Sequence, residues 1–122
     1  MNTQQIADRL VELCRAGNFE QAYDELFAED AENIEMPTTA EGPLGNAKGL
    51  DAIRRKGAAW EEGIEEMHGG SVGEPIVAGN WFALPMSMDV TFKGRGRMAM
   101  DELCVYQVRD GRIVREQFFY DT

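Results

Sequence analysis

The chain changes periodicity once, at Met67, and that single change restricts the folds open to it. Before it, apolar residues recur at helical spacing, as in Ile6, Leu10, Leu13 and Cys14 at i, i+4, i+7 and i+8. After it, runs rich in Val, Phe, Tyr and Trp follow one another with turn chemistry between them. Ala78-Gly79-Asn80, Lys93-Gly94-Arg95-Gly96 and Arg109-Asp110-Gly111 divide segments 68–78, 81–92, 97–108 and 112–120. Four strands joined by short loops make an antiparallel meander. Helices first and a meander second is an α+β order, with three N-terminal helices packed on one face of a curved, mainly antiparallel sheet. At 122 residues the chain is expected to form a single domain, 1–122.

Local signals place the helices. Asn2 and Gln5 have capping-box spacing, and Gly17 supplies the stop. Asn18 is expected to cap a second helix with Phe19, Ala22, Tyr23 and Leu26 on its inner face, giving a helical hairpin. Residues 31–36 read as a short strand closed by Pro37, and a polar loop rich in Gly and Pro follows. A third helix is expected over roughly 50–66, where Leu50, Ile53, Gly57, Trp60, Ile64 and Met67 keep a 3,4 spacing. Gly57 and Gly63 each cost that helix about 1 kcal/mol relative to alanine. Its charges also oppose the helix dipole, so it needs tertiary packing to persist.

Charge bears on partners. The formal net charge is −10, and the imbalance lies in residues 1–75, with 16 acids and 6 bases against 6 of each in 76–122. Such a chain repels phosphate backbones and anionic lipid, so neither nucleic acid nor membrane is expected as a partner. The basic group Lys93, Arg95 and Arg97 reads as edge protection in a turn between strands. The N-terminus lacks the basic start and apolar stretch of a secretion signal, and a cytoplasmic location is expected. Cys14 and Cys104 have no CxxC partner and no adjoining histidine, so they read as reduced thiols, with no metal and no cofactor.

Strand alternation sorts the meander into faces. Met98, Met100, Glu102, Cys104 and Tyr106 share one face of the third strand, and Glu116, Phe118 and Tyr120 one face of the last. A turn of three or four residues at Asp110-Gly111 brings those sets together. Met86 and Met88 stand on the preceding strand, so four methionines fall within residues 86–100. Methionine fills irregular volume and adapts to varied ligands. Core filling and a ligand wall both remain open for them.

The order of helix hairpin, strand ending IEMP, loop, helix opening GLDAIRRK and meander closing ELCVYQVRDGRIVREQFFYD resembles the SnoaL-like, nuclear-transport-factor-2-like superfamily over essentially the whole chain. The final hairpin carries the most specific part of it. The resemblance implies a cone-shaped α+β fold with an apolar pocket, and a homodimer through the convex sheet face. Its members include ketosteroid isomerases, polyketide cyclases and dehydratases as well as non-catalytic domains, so function rests on the site. The isomerase base falls at Met36 and the isomerase oxyanion tyrosine near Leu10, while the second oxyanion acid falls near Glu102. Authentic ketosteroid isomerase activity is therefore not expected.

Glu102 sits among apolar neighbours on its face, where desolvation raises a carboxyl pKa and fits it for acid–base work. Glu116 is expected beside it on the last strand. The competing reading pairs either carboxylate with Arg97, Arg109 or Arg115, or points it to solvent. His68, the one histidine, stands where the chain enters the sheet and is a candidate general base at the pocket mouth, or a plain exposed side chain. Trp60, Met86, Met88, Met98, Met100, Phe118 and Tyr120 are the candidate ligand wall for a small apolar molecule, such as a cyclic ketone or polyketide-like compound. Gly69-Gly70-Ser71-Val72-Gly73 matches the nucleophile-elbow spacing but no histidine follows it, so serine hydrolysis is set aside. The Glu61, Glu62, Glu65 and Glu66 group reads as a solvated helix face. Two readings remain open: cofactor-free acid–base catalysis of the isomerase, cyclase or dehydratase type, and a non-catalytic domain binding a ligand or a protein.

Overall fold

A computed structural model describes residues 1–121. Helix α1, Thr3–Arg15, opens on the expected reciprocal cap, with Gln5 N donating to Asn2 Oδ1 at 2.8 Å and Asn2 N donating to Gln5 Oε1 at 2.9 Å. Its buried stripe is Ile6, Ala7, Leu10, Val11 and Leu13. Helix α2, Phe19–Leu26, buries Ala22 and Leu26, but Phe19 is exposed and Asn18 makes no side-chain cap. With eight residues, α2 is held by packing rather than by its cap: Tyr23 meets Phe27 edge-on at 5.2 Å.

Strand β1 is Phe27–Ile34, and it follows α2 without a loop, four residues earlier than the apolar pattern of 31–36 suggests. Beyond a 3-10 turn at Pro37–Thr39 and the two-residue strand β2, Ala47–Lys48, helix α3 spans Leu50–Glu62. It stops at Gly63, short of the expected end. Residues 64–72 then form strand β3, so Ile64 and Met67 belong to the sheet and not to the helix. The β-branched and aromatic partners across β5 outweigh the helical spacing of that stretch. Strand β4, Ile76–Ala78, is separate from β3, whereas the sequence suggests one strand over 68–78. The break has a cause. A Cβ on Gly73 would lie 2.5 Å from Pro85 Cγ, and Gly73 N donates to Pro85 O at 2.8 Å. The chain crosses so close to β5 there that only glycine fits, and it bends before resuming the ladder.

Strands β5, Trp81–Phe92, β6, Gly96–Arg109, and β7, Arg112–Phe119, form the antiparallel body. The sheet order is β2-β1-β7-β6-β5-β3, with β4 also on β5, and β1 pairs β7 in parallel. The β6–β7 hairpin closes through two residues, Asp110 and Gly111, both at positive φ (52° and 74°). Such a turn alone would set even-numbered residues of β6 opposite odd ones of β7. An irregularity between Gln107 and Val108 restores the parity, so Tyr106 faces Glu116 and Cys104 faces Phe118. The core lies between α1, α2, α3 and one sheet face, with Phe82, Leu84, Cys104, Tyr106 and Ile113 at its floor.

Candidate functional site

Even-numbered residues of β5 and β6 point to the helix-covered face, which the buried Phe82, Leu84, Val90, Cys104, Tyr106 and Val108 define. Met86, Met88, Met98, Met100 and Glu102 share that face. Met86 pairs across the ladder with Glu102, Met88 with Met100, and Val90 with Met98. Met86 and Phe118 pack on the core, Met88 and Met100 are half-buried, and Met98 is exposed at the rim. Trp60 of α3 stands edge-on to Phe92 at 4.9 Å.

A string of polar side chains crosses this inner face. Glu116 is buried opposite Tyr106, and Asn33 Nδ2 donates to its Oε1 at 2.7 Å. Lys56 reaches down from α3, donates to Asn33 Oδ1 and Glu35 Oε2, and lies 5.4 Å from the Phe118 ring centre. Glu35 and Lys56 are only 11% and 12% exposed, so this ion pair is largely shielded from solvent. Tyr120 closes the string at its outer end, donating to Glu35 Oε1 at 2.6 Å, with the Thr39 hydroxyl against it.

Glu102 and Glu116 share the face but not a contact. Glu116 is level with Tyr106, and Glu102 stands four residues further along β6, roughly 13 Å of strand, with Cys104 between them. The Cys104 thiol donates to Glu102 Oε1 at 3.6 Å. Burial pushes Glu116 up to about 7, against the Tyr106 hydroxyl, the Asn33 amide and the Lys56 ammonium, which favour its charge. Glu102 is also raised, by burial first, with the Cys104 thiol opposing and the Glu35 charge adding to it. Among the described residues no arginine takes either carboxylate: Arg97 binds Asp89, Arg109 lies 3.5 Å from Asp30, and Arg115 donates to Gln117.

One residue beyond the last β6–β7 pair, Leu103 with Phe119, an open groove of about 400 Å³ forms where β7 ends. Glu102 and Tyr120 line it from the inner face. Met36, Leu103 and Phe119 supply its apolar wall, and Asp101 and Asp121 its acidic rim. Met36 thus stands at the groove. His68 is placed elsewhere. It sits in an irregularity of β3, with Nε2 2.7 Å from Thr91 Oγ1 and Nδ1 3.1 Å from Glu66 Oε2. Thr91 belongs to the odd-numbered series of β5, so this ring lies on the outer face, away from Glu102 and Glu116.

The comparisons agree with this architecture. A family model described as a SnoaL-like domain matches residues 1–120. The chain belongs to the SnoaL-like family. The crystal structure of a candidate SnoaL-like polyketide cyclase from Mesorhizobium loti is 39% identical and superposes with a TM-score of 0.90, over 98% of this chain and 100% of that one. Two more distant structures share the fold alone. A Catenulispora acidiphila protein of ketosteroid isomerase-like fold, in complex with trimethylamine, is 18% identical with a TM-score of 0.73, over 98% of this chain and 88% of that one. TerC, co-crystallised with polyporic acid, is 19% identical with a TM-score of 0.71, over 91% and 85% of the two chains. No curated protein matches the sequence.

Within this SnoaL-like site, sequence reading did not single out Asn33, Glu35 or Lys56. A signal for each was there. Asn33 and Glu35 alternate with the buried Ala31 along β1, and Lys56 lies three residues from Ile53 and four from Trp60, on the inward stripe of α3.

Proposed function

We propose that the chain binds a small, largely apolar carbonyl compound where the groove meets the inner face, and that Glu102 exchanges a proton with it without a cofactor. The observation that carries this reading is Glu102 itself, a carboxyl held among Met86, Met100 and Cys104, raised by burial, and open to the groove beside the Tyr120 hydroxyl. Its carboxylate takes the α-proton of the bound carbonyl compound and, once protonated, returns it to the enol. Glu116, deeper on the same face and about 13 Å of strand from Glu102, is out of reach of a ligand in the groove and takes no part in the transfer. Proton removal at one carbon and return at another is isomerisation; loss of a β-hydroxyl as water from the same enol is dehydration.

Binding of polyporic acid by TerC supports an aromatic or quinonoid ligand class for this fold. Met88, Met98, Met100, Trp60, Phe118 and Tyr120 supply adaptable apolar surface for it. The reading gives His68 no part, because its ring is held by Glu66 and Thr91 on the opposite face. It includes a homodimer through the outer sheet face, where Trp81, Leu103 and Phe119 are exposed. A second reading, ligand binding without turnover, is favoured by Met36 at the position of the isomerase base.

A thermal-shift screen against steroids, polyketide-like phenols, lactones and cyclic ketones tests the proposal. A ligand raises the melting temperature by mass action, and the shift shrinks in Glu102→Gln. A ligand whose shift is untouched in that variant moves the site elsewhere. Binding with no α-proton exchange in deuterated water selects the second reading.

A further inference from the structure

Glu102 stands just past the last β6–β7 pair, Leu103 with Phe119, so its carboxyl has the groove on one side and the core on the other. On the core side it meets Cys104, two residues along β6 and therefore on the same face. Cys104 is fully buried, with Leu84 opposite it on β5 and Phe118 opposite it on β7. Its thiol donates to Glu102 Oε1 at 3.6 Å, and among the described residues that is the one hydrogen bond either side chain makes.

We infer that Cys104 is a positioning residue for Glu102: the thiol ties Oε1 to the core, and Oε2 is the oxygen left to take the proton of a ligand in the groove. The inference rests on the reading of Glu102 as the base and adds what orients it. A thiol is a weak donor, and that weakness suits the task. A hydroxyl in its place would hold the charged carboxylate more tightly and make it a poorer base. A methyl would donate nothing and leave the desolvated carboxyl to keep its proton. Base catalysis is most effective when proton affinity lies near the surrounding pH, which the intermediate donor favours.

The electrostatics of the site agree. Burial raises the Glu102 carboxyl, and the thiol is the larger of the two influences that oppose it, ahead of the Lys56 ammonium. The charges facing Glu102 from other elements are Lys56 of α3 and Glu35 beyond β1, an ion pair whose members act on it in opposite senses. Asp121 stands at the groove rim, Asp101 lies on the outer face, and Glu116 is about 13 Å of strand away. Burial, with Glu102 and Glu116 adding to it, pushes the Cys104 thiol far up, so it keeps its proton and stays a donor throughout the range in which Glu102 titrates.

Infrared spectroscopy in the S–H stretching window, together with carbon-detected NMR of the Glu102 carboxyl, tests this. The S–H band that disappears in Cys104→Ser should move with pH in wild type, at the midpoint of the Glu102 titration. Cys104→Ala should raise that midpoint and Cys104→Ser should lower it below wild type. A packing role moves both variants the same way, because both shrink the side chain. The pH profile of α-proton exchange into β-tetralone in deuterated water should shift in the same order. A band indifferent to the Glu102 titration overturns the inference on wild type alone, even where a variant fails to fold. Equal or same-direction midpoint shifts in the two variants overturn it as well. The expected order of midpoints without exchange into any cyclic ketone would instead overturn Glu102 as a base while supporting its tie to Cys104.

Discussion

Replacing Glu116 with glutamine removes a buried ionisable group while keeping its shape, and the consequence for stability depends on pH in a defined direction. The carboxyl is pushed from an ordinary 4.5 up to about 7 in the folded chain, chiefly because burial disfavours its charge. Below pH 4.5 the group is protonated folded and unfolded alike, and burying it carries no ionisation cost. Between 4.5 and 7 the unfolded chain gives up its proton while the folded chain keeps it, so stability falls as pH rises. Above 7 both states are ionised and the penalty is complete. At about 1.4 kcal/mol per tenfold change in an equilibrium constant, the span corresponds to about 3 kcal/mol. Glutamine has no such term. The variant should therefore match or fall slightly below wild type at pH 4.5, because it disturbs the bond from Asn33 Nδ2, and exceed it by about 3 kcal/mol at pH 8. Urea unfolding at fixed protein concentration, followed by the fluorescence of Trp60 and Trp81, measures the difference at each pH. Parallel stability curves for the two proteins from pH 4.5 to 8 would refute the reasoning, since they would mean that Glu116 titrates alike in both states.

Lys56→Met removes the ammonium that lowers both Glu102 and Glu116, so carbon-detected NMR should show both carboxyls titrating at higher pH than in wild type, Glu116 above 7. Gly73→Ala puts a methyl 2.5 Å from Pro85 Cγ and should cost about 1–3 kcal/mol, read as a lowered melting temperature. Asn2→Ala breaks both bonds of the first helix cap and should cost about 1 kcal/mol in the same measurement, with no change in the Glu116 titration.

Part of this molecule is legible without coordinates because it is local chemistry. The cap of α1 lies within four residues of itself, and the alternation of β5 and β6 fixes which side chains share a face as soon as one apolar residue is known to be buried. The placement of Glu102 between Met100 and Cys104 follows from that alternation alone, whereas Met86 opposite it depends on the register of β5 against β6. Other features needed the fold, because each depends on residues distant in the chain. Helix α3 ends at Gly63 because residues 64–72 gain a ladder against β5, a contact that no window on 50–66 contains. Glu102 and Glu116 have matching parity, but their separation is set by the two-residue turn at Asp110-Gly111 together with the irregularity after Gln107. His68 lies on the outer face because the β3 ladder is irregular at that point. The buried string from Glu116 to Tyr120 joins β1, α3 and β7, segments up to 85 positions apart. The sequence by itself determined the order of elements and the faces of the strands, since those follow from side-chain periodicity. Only the tertiary structure decided which charges share low-dielectric space, because burial and ion pairing arise when separate elements close over one another.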